Sequence, residues 1–228
     1  SAAATRWTAM RIAEQGFSVI SLDYGLAPEL PFPWAVEDAI YGARWATLNG
    51  TRFNGNGDKL FIGGDSAGAN LAAAAIAFLN GCGDGVDEAD LVGVEVRFAA
   101  ALLFYGVFDF PLSLMEPGSQ VGGVEVRWHL AYLGSHFTGV HRNPLVSPIY
   151  ATNLSMFPPT YLSCGDEDSL LNQSLAMTKA LSQVNVPTTL SVVAGLDHAF
   201  SSVEHLLPAV TPEFERILVW LKNHAPEP

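Results

Sequence analysis

The 228-residue sequence predicts an α/β protein built on a mostly parallel sheet flanked by helices. Three observations carry that prediction. Short apolar runs rich in β-branched and aromatic residues alternate with longer segments of helical period. No internal repeat or low-complexity linker interrupts the alternation. Chemically capable residues fall just beyond the carboxyl ends of three of the runs, where open α/β sheets place their ligands.

The elements follow in order. Residues 3–15 suit a helix with Ala3, Trp7 and Met10 on one face and Gly16 as its stop. Phe17–Asp23 (FSVISLD) reads as a buried strand, followed by the Pro-rich turn LAPELPFP. A second helix buries Val36, Ala39, Ile40, Ala43 and Ala46, and the Gly/Asn cluster at 49–57 breaks it. Lys59–Gly63 is a strand, a tight turn follows, and Ala67–Leu79 is an Ala-rich helix whose small side chains permit close packing on a sheet. After a polar acidic loop at 81–90, Arg97–Tyr105 is a strongly apolar strand. Residues 109–148 are mixed, with one helical patch at 127–133. Strands at 159–164 and 188–193 alternate with helices bearing Leu170, Ser174, Met177 and Leu181, then Phe214, Ile217, Leu218 and Leu221.

Composition narrows the function classes. The chain is 49% hydrophobic and 15% charged, against about 25% charged in a typical globular protein. Such a composition excludes intrinsic disorder. Eleven basic against 23 acidic residues give a net charge of −12. That sign argues against nonspecific binding to nucleic acid or to an anionic membrane. No apolar stretch is long enough for a membrane span, and the reading leans toward a soluble, cytoplasmic protein. Cys82 and Cys164 read as free thiols, and no Cys-x-x-Cys pair suggests a metal site. Sequons at Asn49, Asn153 and Asn172 are close to chance expectation and weigh little for secretion.

Three strand ends carry the chemistry. Gly64-Asp65-Ser66-Ala67-Gly68 joins a strand to a helix, which would hold Ser66 on a strained turn between glycines that avoid clashes. The N-terminus of the following helix would point at the reacting group. A serine hydroxyl needs a base, and of the six histidines only His198 follows a strand end, in Gly195-Leu196-Asp197-His198-Ala199-Phe200. An acid should orient that base, and spacing alone leaves Asp166, Glu167 and Asp168 open. Serine, acid, histidine is the chain order of α/β-hydrolases.

These motifs together resemble the hormone-sensitive-lipase-like branch of α/β-hydrolase esterases. Asp23-Tyr24-Gly25-Leu26-Ala27-Pro28-Glu29 is similar to that family's DYRLAPE, and Pro31-Phe32-Pro33 follows it. The GDSAG elbow, Tyr132-Leu133-Gly134, Ser147-Pro148-Ile149, Phe157-Pro158-Pro159 and the segment around His198 also match, from about residue 5 to the C-terminus. The resemblance selects Asp168, in Asp168-Ser169-Leu170, as the acid. It implies a serine carboxylic-ester hydrolase that forms an acyl-enzyme on small apolar esters without cofactor or metal. Ser66, His198 and Asp168 would be catalytic, and the Ala67 N–H an oxyanion donor. The expected organisation is one domain over 1–228. Residues 109–143 would contribute a cap, with Phe110, Leu112, Leu114, Met115 and Trp128 over an acyl pocket and Phe110, Leu112 and Trp128 touching substrate.

Two departures stand out. Gly25 replaces the family's Arg, which should loosen that turn. The family's His-Gly-Gly-Gly loop, source of most of its oxyanion hole, would lie upstream of Ser1, so the remaining donors are expected there. The strand feeding that loop belongs between FSVISLD and KLFIG, so these residues are expected to be a fragment lacking N-terminal strands. A sheet rewired to pair FSVISLD with KLFIG is the alternative. Losing one oxyanion donor typically costs about 10²–10³ in rate, so a catalytically impaired fragment is a second reading. A small-ligand binding module, as in plant receptors that resemble the family but have lost its histidine, is a third; retention of Ser66, Asp168 and His198 argues against it.

Overall fold

A computed structural model describes residues 5–57, 59–82, 93–114, 124–136 and 139–225. Four strands form a parallel sheet of order β1-β2-β3-β4: β1 (Leu60–Asp65), β2 (Phe98–Phe104), β3 (Thr160–Gly165) and β4 (Thr188–Val193). Each begins or ends within two residues of its sequence expectation.

Side chains on β2 alternate between two cores, as the two-residue strand period requires. Ala101 and Leu103 face a cluster with α3 (Ala67–Ala77) and α6 (Leu171–Gln183), through Ala73, Ile76, Met177 and Leu181. Leu102 and Phe104 face the opposite cluster with α7 (Thr211–His224), through Phe214, Ile217 and Leu221. Helix α3 is buried on nearly every side, because α2 (Trp34–Asn49) packs on its outer face through Val36 and Ile40. Alanine suits a helix enclosed in that way, since larger side chains would hold the layers apart. A short helix α4 (Phe110–Ser113) and α5 (Val124–Leu133) lie beyond β2, and α1 (Arg6–Ala13) lies against the segment after β4.

Two expectations fail here. Phe17–Asp23 forms neither strand nor helix, and among the described residues β1 pairs only with β2. The rewired sheet therefore does not form. Phe17 does reach the core, edge-on to Phe61 at 5.5 Å, and Leu22 lies over Gly42 of α2. Ile20, however, is 47% exposed. An apolar, β-rich run becomes a strand only with a ladder to join, and none reaches it here. Helix α1 likewise buries no residue fully, and Met10 is exposed. Ser1, upstream of which the remaining oxyanion donors are expected, and Ala3, expected on the helix face, both lie outside the described residues.

Gly25 is tied to α2 and closely packed. Its N–H donates to Asp38 Oδ2 at 2.7 Å, and an added Cβ would come within 2.8 Å of Leu30 Cδ1. The acidic loop beyond residue 82, Met115 and part of the expected cap lie outside the described residues. No helix among the described residues is long and apolar enough to cross a membrane.

Candidate active site

β1 delivers Ser66 into the left-handed half of backbone space, at φ 55° and ψ −118°. Side chains rarely adopt that region, and holding one there costs about 1–3 kcal/mol. Three contacts sustain it. Ser66 N–H donates to Phe104 O at the end of β2, and Ser66 O accepts from Ala69 and Asn70 N–H in α3. The two glycines of the motif differ. A Cβ on Gly64 would stand 2.3 Å from the carbonyl carbon of Gly68, so the turn closes only with glycine there; a Cβ on Gly68 meets nothing within 4 Å. The expected clash applies to the first glycine alone. Ala67 opens α3, so its N–H is among the first-turn donors that a helix leaves without an internal acceptor. The Ala67 N–H is the expected oxyanion donor that falls among the described residues; those expected upstream of Ser1 do not.

The loops after β3 and β4 are locked together. Gly165 approaches so closely that a Cβ there would lie 1.9 Å from Leu196 O. Glu167 N–H donates to Leu196 O, and Asp166 Oδ1 accepts from Gly195 N–H. Asp168 lies 4% exposed behind that lock, its Oδ1 accepting from Leu170 N–H at 2.8 Å. Asp166 thus ties the loop, Glu167 contributes its backbone, and Asp168 faces the histidine.

Asp168 Oδ2 is 2.8 Å from His198 Nδ1, and His198 Nε2 is 2.9 Å from Ser66 Oγ. A carboxylate can only accept, so Nδ1 carries the proton and Nε2 is left to accept from the serine hydroxyl. The structure brings together three residues separated by 102 and 30 positions in sequence. Burial dominates the titration of the groups around them. Asp65 is pushed above the usual carboxylate range by burial, and Tyr24 is raised by burial and then by the charge of Asp65. Cys164, free and buried beneath the acid, is pushed up to about 12, chiefly by burial and then by the Asp168 charge.

The remaining histidines stand elsewhere. His129 is buried in α5 beside Ser113, His205 lies tilted against Trp7, and His224 stacks on Trp220. His136 lies in the turn after α5 and His141 in the loop before Ser147, whose Oγ donates to its carbonyl. Among the described residues, no group of three His, Cys, Asp or Glu side chains is placed to hold a metal ion.

The three pocket residues part company. Phe110 is built into the core beside Leu71, Ile40 and Leu133, its ring 4.4 Å from His129. Leu112 is half-buried and Trp128 is 65% exposed.

Sequence reasoning did not reach Gln173 and Tyr105. Buried Gln173 Oε1 accepts from the N–H groups of Phe108 and Asp109, and its Nε2 donates to Asp109 O. It thereby fixes the segment leaving β2 to the helix behind the acid. A fully buried amide has four hydrogen-bonding sites to satisfy, but a Gln at one turn of a helix gives no sequence signal of it. Tyr105 lies against His198 with ring centroids 4.9 Å apart; an aromatic at the end of an apolar strand reads only as core.

Comparison with known proteins agrees with this fold. A family model described as alpha/beta hydrolase fold matches residues 1–202. The chain is 28% identical over 210 residues to the esterase LipI of Mycobacterium tuberculosis, covering 90% of this chain and 62% of LipI. It thus spans less than two thirds of that relative. A 58-residue stretch, 25% of this chain and 8% of the relative, is 43% identical to the hormone-sensitive lipase of Bos taurus. The solved structure of an esterase from the archaeon Pyrobaculum calidifontis superposes with a TM-score of 0.77 at 26% identity, covering 96% of this chain and 69% of that one. The chain belongs to the alpha/beta hydrolase fold family, in the hormone-sensitive-lipase-like branch that its motifs resemble.

Proposed function

We propose that the protein is a serine carboxylic-ester hydrolase acting on small apolar acyl esters through an acyl-enzyme. The observation that carries this reading is the continuous relay from Asp168 Oδ2 through His198 to Ser66 Oγ, with links of 2.8 and 2.9 Å. Ser66 Oγ attacks the ester carbonyl carbon while His198 Nε2 takes the hydroxyl proton. Asp168 stabilises the imidazolium and holds the ring's orientation. The tetrahedral intermediate collapses, the C–O bond to the alcohol breaks, and His198 returns the proton to the leaving oxygen. Water then repeats the sequence on the acyl-enzyme, releasing the acid and restoring Ser66. Every proton taken is returned, so the scheme needs no cofactor.

The Ala67 N–H is one donor to the developing oxyanion. By family resemblance the others belong to a His-Gly-Gly-Gly loop expected upstream of Ser1. Of the three residues expected to touch substrate, Leu112 and Trp128, in a cap contributed by residues 109–143, remain to meet an acyl chain; Phe110 is already committed to the core. A p-nitrophenyl ester panel tests the proposal on this chain, on an N-terminally extended one, and on Ser66→Ala versions of both. Turnover by either chain that disappears in its Ser66→Ala version is expected. Turnover that survives the substitution refutes the mechanism, and silence from both active-serine chains with retained ester binding favours the small-ligand binding module.

A further inference from the structure

We infer that Tyr105 is a positioning residue that fixes the plane of the His198 imidazole, an inference resting on the hydrolase reading above. The two hydrogen bonds of His198, to Asp168 and Ser66, lie at its two ring nitrogens. With the Cβ–Cγ bond as a third anchor, the motion left to the ring is a rocking through χ1 and χ2 that bends both hydrogen bonds away from linearity. A packing contact against one face of the ring limits that rocking.

Tyr105 supplies it. Its ring meets His198 edge to face, with centroids 4.9 Å apart and planes at 63°. The tyrosine is fully buried, whereas about a third of the His198 side chain is exposed. The wall therefore stands on the protein side, and the open side is left to substrate. Tyr105 is itself held at three points. Its N–H donates to Ser163 O at 2.8 Å, its ring packs edge to face on Phe200 at 5.2 Å, and its hydroxyl hydrogen-bonds Ser201 Oγ. Ser201 lies three residues beyond His198, so the pin joins the wall to the loop that carries the base.

The backbone makes the placement specific. Tyr105 has φ 38°, in the left-handed region that bulky side chains seldom occupy. The preceding carbonyl, Phe104 O, accepts from Ser66 N–H at 2.9 Å. One irregular strand end thus holds the backbone of the serine and the ring beneath the histidine. Core packing alone would not require a tyrosine in that conformation, nor a hydroxyl aimed at the histidine loop.

The test compares the chain with its Tyr105→Leu, Tyr105→Phe and Ser201→Ala variants, and with the Tyr105→Phe/Ser201→Ala double variant. Three readouts are taken: the rate of Ser66 modification by an alkyl p-nitrophenyl phosphonate, the ¹⁵N signature of the His198 tautomer, and the melting temperature. Tyr105→Leu should slow modification by about 100-fold, as misplacement near a reacting centre does, and shift the ¹⁵N signals from one tautomer toward a mixture. Tyr105→Phe keeps the wall and loses the pin, so it and Ser201→Ala should each slow modification by about threefold to tenfold. The double variant should be no slower than either single one, because both remove the same bond. A wild-type rate and an unchanged tautomer signature in Tyr105→Leu would overturn the inference. If that variant does not fold, Tyr105→Met, which also removes the aromatic wall, is read by the same criterion, and wild-type behaviour of both Tyr105→Phe and Ser201→Ala would overturn the hydroxyl pin. Failure of the unsubstituted chain to react at Ser66 counts against the hydrolase reading instead, and the tautomer signature then decides the role of Tyr105.

Discussion

Asp65 sits between two demands. It precedes Ser66 in the strained turn, and burial pushes its carboxyl above the usual range, with a backbone hydrogen bond pulling the other way. The folded protein therefore holds the Asp65 proton more tightly than the unfolded chain does. Stability from this group is fully present below its unfolded value, near pH 4, and is lost as pH rises through the raised folded value. Asp65→Asn removes the ionisation, so its melting temperature should exceed that of the unsubstituted chain at pH 7, with the difference vanishing below about pH 4. Equal melting temperatures at both pH values would show that the ionised carboxylate is tolerated without cost. At this scale the sequence was legible where chemistry and position coincide. Gly-x-Ser-x-Gly at a strand end and a histidine after the last strand name Ser66 and His198. Which of Asp166, Glu167 and Asp168 faces the histidine depends on loop geometry fixed by Gly165 and Leu196, which spacing alone does not encode.

Helix α7 illustrates the same limit for an element. Its apolar face, Phe214, Ile217, Leu218 and Leu221, is read directly from the 3.6-residue period, and all four are buried. Glu213 precedes that face and, in the first turn of a helix, would ordinarily be a solvated partner of the helix dipole. It is instead completely buried between α7 and the sheet. Its Oε1 accepts from Tyr161 and Ser163, and its Oε2 from Ser191 and Arg216. The three hydroxyls come from β3 and β4, so one carboxylate binds the helix to two strands. The Tyr161 hydroxyl is pushed up to about 12 there, by burial first and the Glu213 charge second. Glu213→Leu strands three hydroxyls and releases the half-exposed Arg216 guanidinium to water, and should cost about 3 kcal/mol of unfolding free energy in urea titration. Glu213→Gln, which can still accept through one oxygen, should cost less. If the two substitutions cost the same and under about 1 kcal/mol, the carboxylate does not anchor the helix. No periodicity argument finds such a residue, because its partners on the strands lie 22–52 positions away.

The molecule as a whole is asymmetric. β3 is buried along its full length, whereas β1 is only partly covered and, among the described residues, has a strand on one side only. Leu60 and Ser66 N–H groups donate toward β2 and its flanks. In a parallel strand alternate residues bond to opposite sides, so Phe61 and Gly63 N–H groups face the uncovered edge. Their amides should exchange with deuterium orders of magnitude faster than that of Leu162 in the interior strand; equal protection would mean that the edge is paired in solution. The alternation of strands and helices was enough to predict the architecture and the four strands. It misread Phe17–Asp23 because strand character describes what a segment suits, while a strand exists only when a neighbour completes its hydrogen bonds. That same edge lies one strand position from the residue on which the whole account turns. The most direct test of Ser66 as an acylated nucleophile is mass mapping of the protein after brief mixing with a p-nitrophenyl ester and acid quench. One acyl group on the peptide carrying Ser66, absent in Ser66→Ala and strongly reduced in His198→Ala, is the predicted result. An acyl group on another residue, or ester turnover undiminished in Ser66→Ala, would contradict it.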